Sequence, residues 1–241
     1  MLILTQADSL TLRPFAESLN LNQYIDPVVD IADITLGSLL SENSAFKDVP
    51  IIRSIRDLNN VRLTIQGAFE IKNQLVFLQG IQNGKLELEG FAERQEAYRN
   101  NESWFYREVE RLVVYISRNT DLKKSKIQAA LYLDYVGHKI TQERFYECLD
   151  IIDQLLVGDI QHMLELNAYQ KENSISPDSL NDGSIKLNFS FDLVKCNRLS
   201  SLGLLLRMQA FSFGRTIKSE FLVSELGSYF SDLFHYTNIT Y

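Results

Sequence analysis

Phosphate is the chemistry that this chain's residue types are best arranged to meet. Between residues 186 and 222 stand the cations Lys186, Lys195, Arg198, Arg207, Arg215 and Lys218, against the anions Asp192 and Glu220. A local excess of cations neutralises phosphates and releases their counterions on binding. Lys195 and Arg198 fall in a segment that reads as helix, and Arg215 and Lys218 flank a turn after it. Those four residues are the candidate nucleic-acid contacts. The whole chain pulls the other way. It has 24 Lys+Arg against 31 Asp+Glu, a formal net charge of -7, and an acidic protein does not attract polyanions broadly. The same four cations also read as the solvated surface of a protein-binding module.

Other chemistries find less support. Asp26, Asp30 and Asp33 share one face of a helix by spacing. A divalent cation needs further converging ligands, so a solvated face is the better reading. His138, His162 and His235 are isolated from any nucleophile in sequence. A base can still arrive from a distant segment, because triads assemble in space. Cys148 and Cys196 lie in apolar-periodic segments and read as buried, reduced thiols of a cytosolic protein. No Cys or His spacing suggests zinc, and no glycine pattern makes a phosphate loop. Trp104-Phe105-Tyr106 offers an aromatic platform, with core packing the preferred reading. The expectation is a protein that is not an enzyme, with no catalytic residue, no cofactor and no metal.

Helices must position these residues. Hydrophobic residues make up 45% of the chain, with four prolines and 11 glycines, a composition that favours long helices over many tight turns. Residues 1–45 read as an apolar N-terminal helical segment, with Leu10, Leu12, Phe15 and Leu19 at helical spacing and a second helix around Pro27. Residues 46–167 read as a helical bundle. Its helices are expected at 51–80, 91–118, 122–136 and 142–167, the last with Phe145, Leu149, Ile152, Leu156, Ile160 and Met163 on one stripe. Asp121 is placed to cap the third. Residues 168–187, rich in Ser, Asn and Asp, read as a linker or exposed loop, and 235–241 as a tail. The start of the chain lacks a basic signal-peptide region. No window of about 18 uncharged apolar residues occurs, so no stable membrane span is expected.

The segment 188–234 carries the most specific pattern. The phrase Arg198-Leu-Ser-Ser-Leu-Gly-Leu-Leu205 reads as a helix stopped at Gly203 and running into a strand. Leu204 to Phe211 and Ile217 to Val223 are expected to pair around a turn containing Gly214. Phe221-Leu-Val-Ser-Glu-Leu-Gly-Ser-Tyr-Phe230 reads as a strand leaving into a capped helix. This order resembles the end of a winged-helix module, with Gly227 at the common glycine and Ser224 where threonine is usual. The resemblance covers roughly a fifth of the chain, and the two helices that normally precede the recognition helix have no clear counterpart. It implies either DNA contact by recognition helix and wing or use of the same surface for a protein.

The fold expected is mainly α, a helical bundle body with a small α+β winged-helix-like C-terminal module. The function expected is that of a non-enzymatic, cytoplasmic interaction protein of bacterial or phage type. It would contact protein partners, or a second copy, through its N-terminal helices and C-terminal module. The alternatives are a DNA-binding regulator and a membrane-associated effector inserting residues 1–45.

Overall fold

The computed structural model describes residues 6–20, 31, 34–57, 65–82, 89–175, 190–209 and 219–237. They form eleven helices and one two-stranded antiparallel sheet. The protein is therefore mainly α, with a helical body and a small α+β module at its C-terminal end. The chain divides into two compact units, 1–153 and 154–241.

The first unit holds α1 (Gln6–Asn20), α2 (Leu36–Leu39), α3 (Pro50–Asp57), α4 (Ile65–Gln82), α5 (Glu89–Arg99), α6 (Ser103–Ser117), α7 (Leu122–Val136) and α8 (Gln142–Gln154). Its centre is the pair α4 and α7. Both are buried on several sides, through Leu75, Val76, Phe77 and Leu78 on α4 and Ala129, Leu131 and Tyr132 on α7. A helix apolar all round belongs inside. At Gly80 a Cβ would lie 2.6 Å from that of Ala129, so the two backbones approach closely there. Polar groups in this interface pair with one another. Asn73 Nδ2 donates to the Asn119 carbonyl at 3.0 Å, and Ser125 Oγ donates to Asn73 Oδ1 at 2.9 Å. A buried amide left unpaired would cost about 1–3 kcal/mol.

The N-terminal segment is part of this unit. Phe15, Ala16 and Leu19 of α1 are buried, and α1 packs on α3, α5 and α6. Phe15 and Leu19 of the apolar stripe thus pack inside the body. The helix expected around Pro27 and the carboxylates Asp26, Asp30 and Asp33 lie outside the described residues. No described helix is long and apolar enough to cross a membrane.

Helix 122–136 stands where its spacing put it, and the Asp121 carboxylate accepts from Lys123 N at 2.8 Å. In the segment 51–80 the described residues lie in α3 and α4, and residues 58–64 between them lie outside the described set. Two other expected helices do not run as read. The segment 91–118 is α5 and α6, broken where Asn101 takes φ 53. The segment 142–167 is α8 and α9 (Val157–Glu172), separated at Leu155 and Leu156. Leu156 has ψ 124 and is the extended N-cap of α9. It is 52% exposed, not mid-stripe in a core. The apolar period runs through the break because two stripes happen to join in phase, and periodicity carries no record of chain direction. Ile152 does sit in the core at 0% exposure. Ile152→Ala is expected to cost about 2–5 kcal/mol in urea unfolding, and a loss under about 1 kcal/mol would contradict that packing.

The second unit holds α9, α10 (Leu193–Ser201), β1 (Leu205–Gln209), β2 (Ser219–Val223) and α11 (Glu225–Tyr236). The chain therefore divides ahead of α9, where the sequence suggested a linker over 168–187. In place of the expected loop at 168–172, α9 runs on to Glu172. The polar residues there have work inside the fold. Gln170 Nε2 donates to the Phe221 carbonyl at 3.2 Å, and Gln170 Oε1 accepts from Val223 N at 3.0 Å. That amide satisfies an open edge of β2, which would otherwise invite pairing with another strand. Composition alone reads such a glutamine as loop.

The strand pairing runs from Leu205↔Val223 to Gln209↔Ser219. Gly203 ends α10 with φ +75, in the left-handed region that favours glycine. Ser224 Oγ accepts from Gly227 N at 2.9 Å and donates back to the Gly203 carbonyl at 2.7 Å, fixing the start of α11 against the start of the ribbon. The intervening residues 210–218, where a turn with Gly214 is expected, lie outside the described residues.

Candidate interaction site on the C-terminal unit

The site begins with the way α10 is held. Asp192 is its N-cap, its carboxylate accepting from Val194 N at 3.1 Å and Lys195 N at 3.2 Å. These bonds hold the Asp192 carboxyl below its ordinary range. Leu199 and Cys196 point inward and are fully buried. The opposite face carries Leu193, Val194, Asn197 and Ser201, all exposed. Leu193 is 53% exposed and Val194 63%. Positions 193, 197 and 201 are four apart, so they lie along one side of the helix.

Of the four candidate phosphate contacts, two lie on α10. Arg198 makes a two-pronged ion pair with Asp159 of α9, Nε to Oδ2 at 2.7 Å and Nη2 to Oδ1 at 2.6 Å. Asp159 is buried, so this guanidinium neutralises a carboxylate that has little water. The hydrogen bond to Asp159 holds the Arg198 pKa above its ordinary value. Lys195 is half-buried, with Nζ 4.0 Å from the Asp192 carboxylate. Arg215 and Lys218 lie outside the described residues. Lys195 and Arg198 thus share a helix, but each stands beside an acidic side chain of the same unit. Arg207 is exposed on β1, opposite Phe221.

The fold also brings together a pair that the sequence did not suggest. Cys196 Sγ lies 3.4 Å from His162 Nε2, and Asp192 N donates to the same nitrogen at 3.3 Å. A thiol beside an imidazole is the geometry of a nucleophile and its base. Burial pushes the Cys196 thiol up to about 11 and the His162 imidazole down. Both shifts favour the neutral pair, the opposite of an activated thiolate. The pair serves as a polar tie between α9 and α10. His138 and His235 are exposed. Cys148 is buried and unbridged, its thiol pushed to about 11 by burial. Among the described residues no group of three His, Cys, Asp or Glu is placed to hold a metal.

A second cluster, in the first unit, gathers Trp104 with its neighbours. Buried Arg94 pairs with buried Glu108 through Nε to Oε1 at 2.7 Å and Nη2 to Oε2 at 2.8 Å. Tyr132 and Tyr135 donate to the same carboxylate at 2.9 and 3.1 Å. The guanidinium lies 4.9 Å from the Tyr135 ring centroid and 5.8 Å from that of Trp104. Burial works against the charge on Arg94, but the paired Glu108 carboxylate outweighs it and holds the group protonated. Burial, then Glu108, pushes the Tyr132 hydroxyl up. Donors and acceptors are matched here, so the cluster reads as a structural core of the bundle; of the aromatic triplet only Phe105 is buried in it, while Trp104 stays 38% exposed and Tyr106 half-buried.

No protein-family model, curated protein or solved structure matches this chain.

Proposed function

We propose that the chain is a non-enzymatic interaction protein whose C-terminal unit is a winged-helix-like module used to bind protein. The observation that carries this reading is the outward face of α10. It presents Leu193, Val194, Asn197 and Ser201, with no cation among them. In a winged helix this helix is the one that enters the DNA groove, where arginine and lysine read bases and phosphates. Here Arg198 is engaged by Asp159. Two exposed aliphatic side chains on consecutive positions suit a protein contact better, since burying what remains exposed of each is worth roughly 1–2 kcal/mol. The neutral Cys196–His162 pair supports a role without covalent catalysis. The described part of residues 1–45 supports the body more than it offers a surface.

The test compares wild-type protein with a Leu193→Asp/Val194→Asp variant. A photo-crosslinker placed at Val194 in the native host is expected to trap a discrete protein adduct. The variant is expected to weaken binding of the trapped protein by about 2 kcal/mol or more. Purified protein is expected to leave mixed-sequence duplex unshifted at physiological salt. A duplex shift that weakens on joint Arg215→Ala/Lys218→Ala replacement, with no adduct from position 194, would overturn this reading in favour of a DNA-binding regulator.

A further inference from the structure

Besides the Arg198–Asp159 ion pair, α10 is held on α9 at its start by a titratable ring. His162 is buried, and its Nε2 accepts the backbone N–H of Asp192. Accepting at Nε2 fixes the neutral ring with its hydrogen on Nδ1. Cys196, one turn further along α10, faces the same nitrogen. Asp192 is itself the cap of α10, so this bond holds the point from which the helix starts. Protonation puts a hydrogen on Nε2. The acceptor becomes a donor, pointed at the Asp192 N–H that it used to receive.

We infer that His162 is an acid-sensitive latch, which anchors the start of α10 when neutral and releases it when protonated. The segment freed is the one that exposes Leu193 and Val194. The latch therefore regulates the presentation of that face, whatever binds there.

The charges around the ring are mixed. Lys195 of α10 opposes protonation, while Asp192 of α10 and Glu165 and Asp159 of α9 favour it. Of the other elements packed on α9, α11 carries Glu225 and Asp232, and Asp232 pairs with Lys171 at 3.7 Å. Burial, joined by Lys195, prevails and holds the imidazole below its ordinary 6.5. The sign follows from linkage. The fold favours the neutral ring, so the anchorage is complete above 6.5 and is lost as pH falls below it toward the lowered folded value.

The experiment uses the full chain. Amide hydrogen exchange is read at about pH 7.5 and about pH 5.5, corrected for intrinsic rates, and the histidine ring protons are followed by NMR across the same range. Protection of amides in α10 is expected to fall several-fold at the acid end, while protection in α7 stays unchanged. The His162 ring is expected to titrate below the ordinary 6.5 of a histidine. His162→Gln keeps an acceptor toward the Asp192 N–H but cannot titrate, and it is expected to abolish the pH dependence in α10. Equal α10 protection at both pH values, or a His162 midpoint at or above 6.5, would overturn the latch. So would a pH dependence that survives in His162→Gln. Should that variant fail to fold, the wild-type ring titration still decides the question.

Discussion

Gly227→Ala is expected to disrupt the C-terminal unit. A Cβ on this residue would stand 2.1 Å from the Leu204 carbonyl oxygen and 2.9 Å from Val223 Cγ1. The first of these is backbone, and it cannot swing away as a side-chain tip would. That carbonyl is also tied in place, since it accepts from Ser224 N at 3.0 Å and from Ser224 Oγ at 3.1 Å. Making room for one methyl group means parting α11 from the first strand and breaking the cap that Ser224 places on Gly227 N. Overpacking into tolerant cores costs about 1–3 kcal/mol, and a clash with fixed backbone should exceed the upper end. Hydrogen exchange across α9, α10 and α11 reads the outcome. Emission from the single tryptophan, Trp104, reports separately on the first unit. Wild-type protection in the second unit, with a loss under about 0.5 kcal/mol, would contradict the packing described for Gly227.

Glu108→Gln is expected to be nearly as severe in the first unit. The carboxylate is the shared acceptor for Arg94, Tyr132 and Tyr135. An amide at this position keeps the shape but loses the charge and one of the two accepting oxygens. It leaves the Arg94 guanidinium buried and uncompensated. Removing one partner of a buried ion pair typically costs about 3–5 kcal/mol. Trp104 lies over Arg94, so its fluorescence follows the loss directly in a urea titration. The double variant Arg94→Met/Glu108→Leu removes both charges together. It should recover much of the loss, because the desolvation penalty goes with the pair. A double variant as unstable as the sum of the two single replacements would show that the ion pair is not the source of the effect.

What the sequence determined by itself is local. The helix 122–136 with Asp121 as its cap, the stop at Gly203 and the start of α11 at Ser224 came from residues within a turn of one another, and the antiparallel ribbon from two short runs near each other in sequence. The mainly α class followed from the same short-range signals, because helix periodicity, caps and left-handed glycines are set by neighbours in the chain. What the sequence did not carry is where one helix ends and the next begins without a breaker residue. Gln154-Leu155-Leu156-Val157 holds no proline or glycine, yet α8 ends and α9 begins there. Nor did it carry the role of polar residues that serve distant backbone. Gln170 read as loop because its partners, Phe221 and Val223, lie 51 and 53 residues away. The candidate site was decided at the same range. Arg198 read as a free cation until the fold set Asp159 against it across 39 residues, and His162 read as isolated until Cys196 met it across 34. Charge counts sum over sequence, whereas an ion pair or a proton acceptor is defined by ångströms. Only tertiary packing brings such groups within reach of each other and removes the water between them.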